Sequence, residues 1–243
     1  YLGGTFTQVN GQSHTRLAAV DAVTGAVNAG FTASASADVL ALAASPSHLY
    51  VGGNFTQLNA TGRNRVGRLS LAGALDTAWN PNVNSIVHAL AVDGSDVYVA
   101  GQFTSLGGDR ARRLARVSTS TPAALLQNFE ANSSVFGLSI NRNVLYFGGA
   151  FTNVLGGNRS RAAAVDLRTH TLVSTFAPNV GGNGTVVRAV SAAGSAVVLG
   201  GNFTNVGGSP RLGAAVVDGT NGSLFASQPL RAQGDVRSVA IIG

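Results

Sequence analysis

Asp38 and Asp235 stand at one position of an internal repeat, just ahead of a short alternating apolar segment. Two residues further on, the repeat carries Leu40, His88, Phe136, Arg188 and Arg237. A carboxylate pair flanking a scissile bond is the minimum equipment of a glycosidase, so a glycoside hydrolase or lyase-type reading starts at Asp38 and Asp235. No third acid supports it, because the only Glu is Glu130, several residues before its own apolar segment. The same residues also suit non-covalent recognition, with an acid beside guanidinium, imidazole and phenyl groups. Asp38, His88, Phe136, Arg188, Asp235 and Arg237 are therefore the candidate ligand-binding residues, and no catalytic set is assigned. His14, His48, His88 and His170 fall at different repeat positions and Cys is absent, so neither a metal site nor a cofactor is expected. The chain has no glycine-rich phosphate loop opening a helix, and its glycine pairs lie in strand-like runs.

The elements that position these side chains follow from the repeat. A Phe-Thr pair recurs at Phe6, Phe55, Phe103, Phe151 and Phe203, at spacings of 49, 48, 48 and 52 residues. Before each Phe lies "YLGG", "YVGG", "YVAG", "YFGG" or "VLGG", and further upstream an alternating "VLAL", "VHAL", "VFGL" or "VRAV". A fifth copy of the upstream segment, "VRSV", occupies residues 236–239. After each Thr, "RLAAVD", "RVGRLS", "RLARVS" and "RAAAVD" open at Arg16, Arg65, Arg113 and Arg161, whereas the fifth copy has Gly213 there and Arg211 two residues earlier. A last run ends in Phe31, Trp79, Phe129, Phe176 or Phe225. Each unit thus holds four short β-like runs separated by Gly, Asn, Asp and Ser, with no sustained helical period. The expected fold is all-β, a five-bladed β-propeller of four-stranded antiparallel blades in one domain over residues 1–243.

The chain opens inside the second strand of a unit and stops after the first. This predicts a ring closed by pairing the C-terminal inner strand with the N-terminal strands, which removes exposed sheet edges. The glycine pairs are expected where another strand or a ring comes too close for a side chain.

The line "VHALAVDGSDVYVAGQFTSLGGDRARRLARVS", with "LAGALDTAWNPN" before it, resembles the delta-60-repeat β-propeller family of bacterial secreted and surface proteins, and the glycine pairs are kelch-like. The resemblance implies the fold and surface exposure, and implies no activity.

Arg16, Arg65, Arg113 and Arg161 recur at one position, which points to a shared structural partner such as backbone carbonyls or an acid at a strand end. Asp21, Asp166 and Asp218 are expected to form turns. The candidate residues, which differ between copies, start the innermost strands and are expected to line the mouth of an axial channel. Two loop sets, after the fourth strand and after Phe-Thr, are rich in Asn, Gly, Ser and Gln and should share a face.

The 243 residues include 16 basic residues, all Arg, against 10 acids, for a net charge of +6. The arginines are scattered and only 11% of residues are charged, so no nucleic-acid partner is expected. There is no Met, no leader and no apolar run long enough for a transmembrane segment, which suits a fragment of a longer secreted precursor. The expectation is a non-enzymatic extracellular or cell-surface binding, adhesion or scaffold module. Its partner would be a glycan or an extracellular protein, and a place in a larger surface assembly fits the same reading.

Overall fold

The computed structural model describes residues 1–182, 184–225 and 230–241. These residues form strands, turns and loops without a helix. The backbone groups into two compact units, Tyr1–Asn128 and Phe129–Gly243.

In the first unit, Val87–Asp93, Asp96–Gly101, Leu114–Ser118 and Leu125–Asn128 make a four-stranded antiparallel meander. The preceding sheet holds Val39–Ala44, His48–Gly53 and Val66–Ser70, with only a Leu69–Leu75 bridge in place of the fourth strand. The first holds Leu2–Gly3 and Leu17–Ala18, with a Val20–Val27 bridge. In the second unit, Val135–Asn141, Val144–Gly149, Ala162–Asp166 and Thr171–Leu172 form a complete meander. Val186–Ala193, Ala196–Asn202 and Ala214–Asp218 form a three-stranded sheet, ending in a Val217–Leu224 bridge. The expected four strands are therefore complete in two repeats and abbreviated at the outer edge elsewhere. At Asp76 the reason is local: its Oδ1 accepts from the N–H groups of Ala78 and Trp79, turning the chain inward so that Trp79 enters the core.

The core lies between successive repeats. The aromatic ending one repeat clusters with the Phe of the next Phe-Thr pair: Phe31 with Phe55, Trp79 with Phe103, and Phe176 with Phe203. All six are essentially inaccessible to solvent. Burying rings of this size supplies on the order of 2–3 kcal/mol each.

The glycine pair has two separate causes. A Cβ on the first glycine would lie 2.5 Å from Val39 at Gly3 and 2.6 Å from Val87 at Gly52, each a valine of the following inner strand, and 2.7 Å from Val236 at Gly200. A Cβ on the second glycine would run into the carbonyl oxygen of Asp38 at Gly53, Ile86 at Gly101, Ser134 at Gly149 and Val186 at Gly201. That carbonyl comes so close because the inner strand carries a bulge at this point. The register steps from Val39–Gly53 to Ala41–Gly52, from Val87–Gly101 to Ala89–Ala100, from Val135–Gly149 to Gly137–Gly148 and from Val187–Gly201 to Ala189–Gly200. In each inner strand one residue is left over: Leu40, His88, Phe136 or Arg188.

Two expectations about local structure are corrected. The segments after Phe-Thr are two-residue hairpins rather than irregular loops, as in Gln8–Val9 with Gln12–Ser13 and Ser105–Leu106 with Asp109–Arg110. Their tips place two successive residues at positive φ, Asn10 and Gly11 in one and Gly107 and Gly108 in the other, and this mirror-image turn matches strand twist. Arg211 is not the displaced counterpart of the recurring Arg. Arg16, Arg65, Arg113 and Arg161 have φ of 66° or 67° and Gly213 has 65°, so Gly213 fills that left-handed position and Arg211 aligns with Arg63 and Arg159.

Replacing Gly101 by Ala is expected to cost at least about 3 kcal/mol, because backbone rather than a movable side chain must give way. Ala100→Gly should cost about 1 kcal/mol, and Gly62→Ala, with nothing within 4 Å of its Cβ position, should stay within about 0.5 kcal/mol. Denaturant midpoints of the three variants check this order.

Candidate functional site

The recurring polar residues are committed to the scaffold. The left-handed residue accepts at its carbonyl from the second glycine's N–H and donates its own N–H to the Phe carbonyl. This pattern runs from Gly4, Arg16 and Phe6 to Gly201, Gly213 and Phe203. The guanidinium then reaches further carbonyls: Arg16 to Ala35, Arg65 to Asn54, Arg113 to Gln102 and Phe103, and Arg161 to Phe151 and Thr185. A second arginine position behaves likewise. Arg63 donates to Gly62, Asp76 and Thr77, Arg159 to Asn158, Val173 and Ser174, and Arg211 to Pro210. Arg68 is buried, paired with Asp76, donates to the Thr119 carbonyl and lies 5.5 Å from the centre of the Trp79 ring. Arginines that add to the net charge of +6 are thus used to satisfy backbone oxygens.

The aspartates before the turns act as the sequence suggests. Oδ1 of Asp21 accepts from the N–H groups of Val23 and Thr24, and that of Asp218 from Thr220 and Asn221. Asp166 accepts from the backbone of Arg168 and Thr169 and from the Arg168 side chain, which holds its carboxyl at about 2, below the ordinary 3.8.

Many loop amides are also committed. Asn84 Oδ1 accepts from the N–H groups of Thr104 and Ser105 at 2.9 and 3.1 Å, and Asn132 does the same for Thr152 and Asn153. Ser36 Oγ serves Thr56 and Gln57 in the same way. Much of the Asn and Ser content of the loops thus fastens each connection to the following hairpin.

The candidate positions are different. Leu40, His88, Phe136 and Arg188 are the bulge residues themselves, and bulges re-aim a side chain out of the regular alternation. In the first unit, Leu40 is 46% exposed. Gln102 Nε2 lies 3.0 Å from His88 Nε2, so the amide and the imidazole share a hydrogen bond. Asp38 is half-buried at the entry of its strand, where its backbone carbonyl accepts from Asn54.

In the second unit the structure brings four of the six candidates together. Arg188 Nε lies 2.7 and 2.6 Å from the two carboxylate oxygens of Asp235. Arg237 Nε lies 3.5 Å from the same carboxylate. The Arg188 guanidinium carbon is 5.6 Å from the centre of the Phe136 ring. The convergence has a backbone cause. Phe136 is followed by Gly137, where a Cβ would stand 2.8 Å from the Arg188 carbonyl, so the two inner strands approach closely at their bulges. Among the described residues no cluster of His, Asp and Glu could hold a metal ion.

Comparison with known proteins agrees with the repeat. Residues 48–78 match a family described as a domain of unknown function (DUF5122) beta-propeller. The stretch runs from the second strand of one repeat to just short of its terminal Trp79, and supports a β-propeller repeat family. Among solved structures, the computationally designed Ika8 protein is similar at 16% identity and a TM-score of 0.50, covering 85% of this chain and 66% of that one. The computationally designed Ika4 protein has 16% identity and a TM-score of 0.49, covering 75% and 92%. The chain therefore spans just under two thirds of the Ika8 chain. No curated protein matches it. The described residues are all-β, and the family match supports a β-propeller repeat.

If Asp166 is a turn residue, Arg168→Ala should raise its carboxyl toward 3.8 while the turn persists. Because the folded group titrates below its unfolded value, its stabilisation is present above about 4 and fades as pH falls through about 2. Carboxyl-carbon NMR titration of parent and variant reads this, and an unmoved Asp166 would disprove the pairing.

Proposed function

We propose that the chain is a closed five-bladed β-propeller that acts as a non-enzymatic binding module at the cell surface or outside the cell. It presents its bulge residues to a glycan or an extracellular protein. One observation carries this reading: the position that reads Leu40, His88, Phe136 and Arg188 in four repeats is the residue that the bulge frees from the ladder. A scaffold alone has no use for Leu40, His88, Phe136, Arg188 and Arg237 at one equivalent position, while a recognition surface does. The state of Asp235 supports binding over hydrolysis. Its carboxylate oxygens are engaged by Arg188 and Arg237, so it stands in an ion-paired cluster rather than beside a second acid.

Closure is proposed from local geometry at each end. Val236 donates its N–H to the Gly201 carbonyl as Val39 does to Gly4, and Val236 and Val239 fill the space beside Gly200 as Val39 and Leu42 do beside Gly3. Residues 236–239 thus take the place of an inner strand. Leu2–Gly3 pairs only with Leu17–Ala18 among the described residues, which leaves one edge for such a strand. By analogy with Leu42–Val51 and Val190–Leu199, Val239 should pair with Leu2.

In the double variant Leu2→Cys and Val239→Cys, oxidation should give an intramolecular disulfide in the monomer, visible by mass spectrometry of a non-reduced digest. Disulfide-linked dimers alone would show the ring to be open. For function, a glycan array and a capture experiment with purified surface proteins should yield a ligand whose affinity falls at least tenfold when Leu40, His88 and Phe136 are replaced together by Ser, Ala and Ala. A ligand indifferent to those changes would overturn the reading, as would polysaccharide hydrolysis that Asp235→Asn abolishes.

A further inference from the structure

The binding-module reading does not say what the second unit's share of the bulge surface would recognise, and its charge distribution does. Asp235 is the one acid of the cluster, and its two oxygens are taken at 2.6 and 2.7 Å by Arg188. Arg237 stands farther off at 3.5 Å, with its side chain 84% exposed. Two guanidinium groups thus share one carboxylate, and the unsatisfied charge sits on the exposed one. Arg188 is held in place from two sides, by Asp235 and by the Phe136 ring, so the cation beside Arg237 is pre-organised.

We propose that Arg237, backed by the Arg188–Asp235 pair and Phe136, is a carboxylate-binding site, and that its ligand is a uronic-acid-bearing glycan. The planar guanidinium offers two parallel N–H groups to a carboxylate, the geometry that makes this pairing both strong and specific. Charge spacing decides between an acidic sugar chain and an acidic peptide. The arginines at the two recurring positions are spent on backbone carbonyls, so a run of adjacent acids would find no continuous basic track. Within this cluster of the second unit the surplus is a single cation, Arg237, with the Phe136 ring across Arg188 from it. Such a surface fits a polymer that alternates isolated carboxylates with apolar sugar faces.

This inference rests on the binding-module reading, and its test separates the two. Oligogalacturonate and a neutral galactose oligomer of equal length are titrated calorimetrically against the intact chain, with a hexaglutamate peptide as a third probe. Oligogalacturonate is expected to bind at least tenfold more tightly than either, weakening as salt is raised. Arg237→Ala should lose that preference tenfold or more with an unchanged thermal melt, because the side chain is exposed. Arg237→Lys should recover only part of it, since an ammonium lacks the fork. Equal affinity for the neutral oligomer, tighter binding of hexaglutamate, or an Arg237→Ala variant that binds uronate normally would each overturn the proposal. A neutral glycan whose binding needs Leu40, His88 and Phe136 but ignores Arg237 would overturn this inference and leave the binding module standing. Absence of any ligand on the array and of any uronate binding would sink both.

Discussion

Within each unit, successive sheets meet where there is no room for a side chain. A valine of the following inner strand occupies the space beside Gly3 or Gly52 of the preceding repeat, and the rest of the packing follows from that approach. With the backbones this close, the aromatic closing one repeat reaches the Phe of the next, as Phe31 reaches Phe55. A methyl group at the glycine would separate the sheets and open a gap around rings that are now fully buried. Interiors are too dense to absorb such a change locally.

The second glycine answers to a different demand, and the two should not be merged into one motif. It faces a carbonyl that the bulge pushes toward it, and its own N–H is held by a residue at φ near 66°. The position accepts Arg in four repeats and Gly in the fifth, so the conformation is set by two backbone hydrogen bonds rather than by the side chain. Arginine tolerates the left-handed backbone at a cost of about 1–2 kcal/mol, and its guanidinium adds hydrogen bonds to nearby backbone carbonyls.

These commitments determine where recognition can reside. The recurring arginines, the turn aspartates and several loop asparagines are occupied by the protein's own backbone. The polar residues of the loops therefore leave a small surface for recognition. The bulge releases one residue per inner strand from the ladder. In the second unit the inner strands carrying Phe136 and Arg188 converge where Gly137 has no side chain, and Asp235 and Arg237 meet beside Arg188.

The sequence by itself determined the repeat, the β character, the glycine pairs as points of close approach, the turn aspartates and the position at which the copies disagree. Each of these depends on local residue chemistry or on self-similarity, both visible along the chain. The two-residue hairpins were also open to view in Asn10-Gly11 and in the Gly107-Gly108 pair, a turn signal masked by the polar composition around it. Only the tertiary structure decided that the variable residues are bulge residues, because a bulge is a mismatch between two strands and neither strand records it alone. The division of labour among the arginines was equally hidden. Arg63 and Arg65 are two residues apart and alike in type, yet they serve different carbonyls, since the partners of a long flexible cation are chosen by what folding brings within its reach.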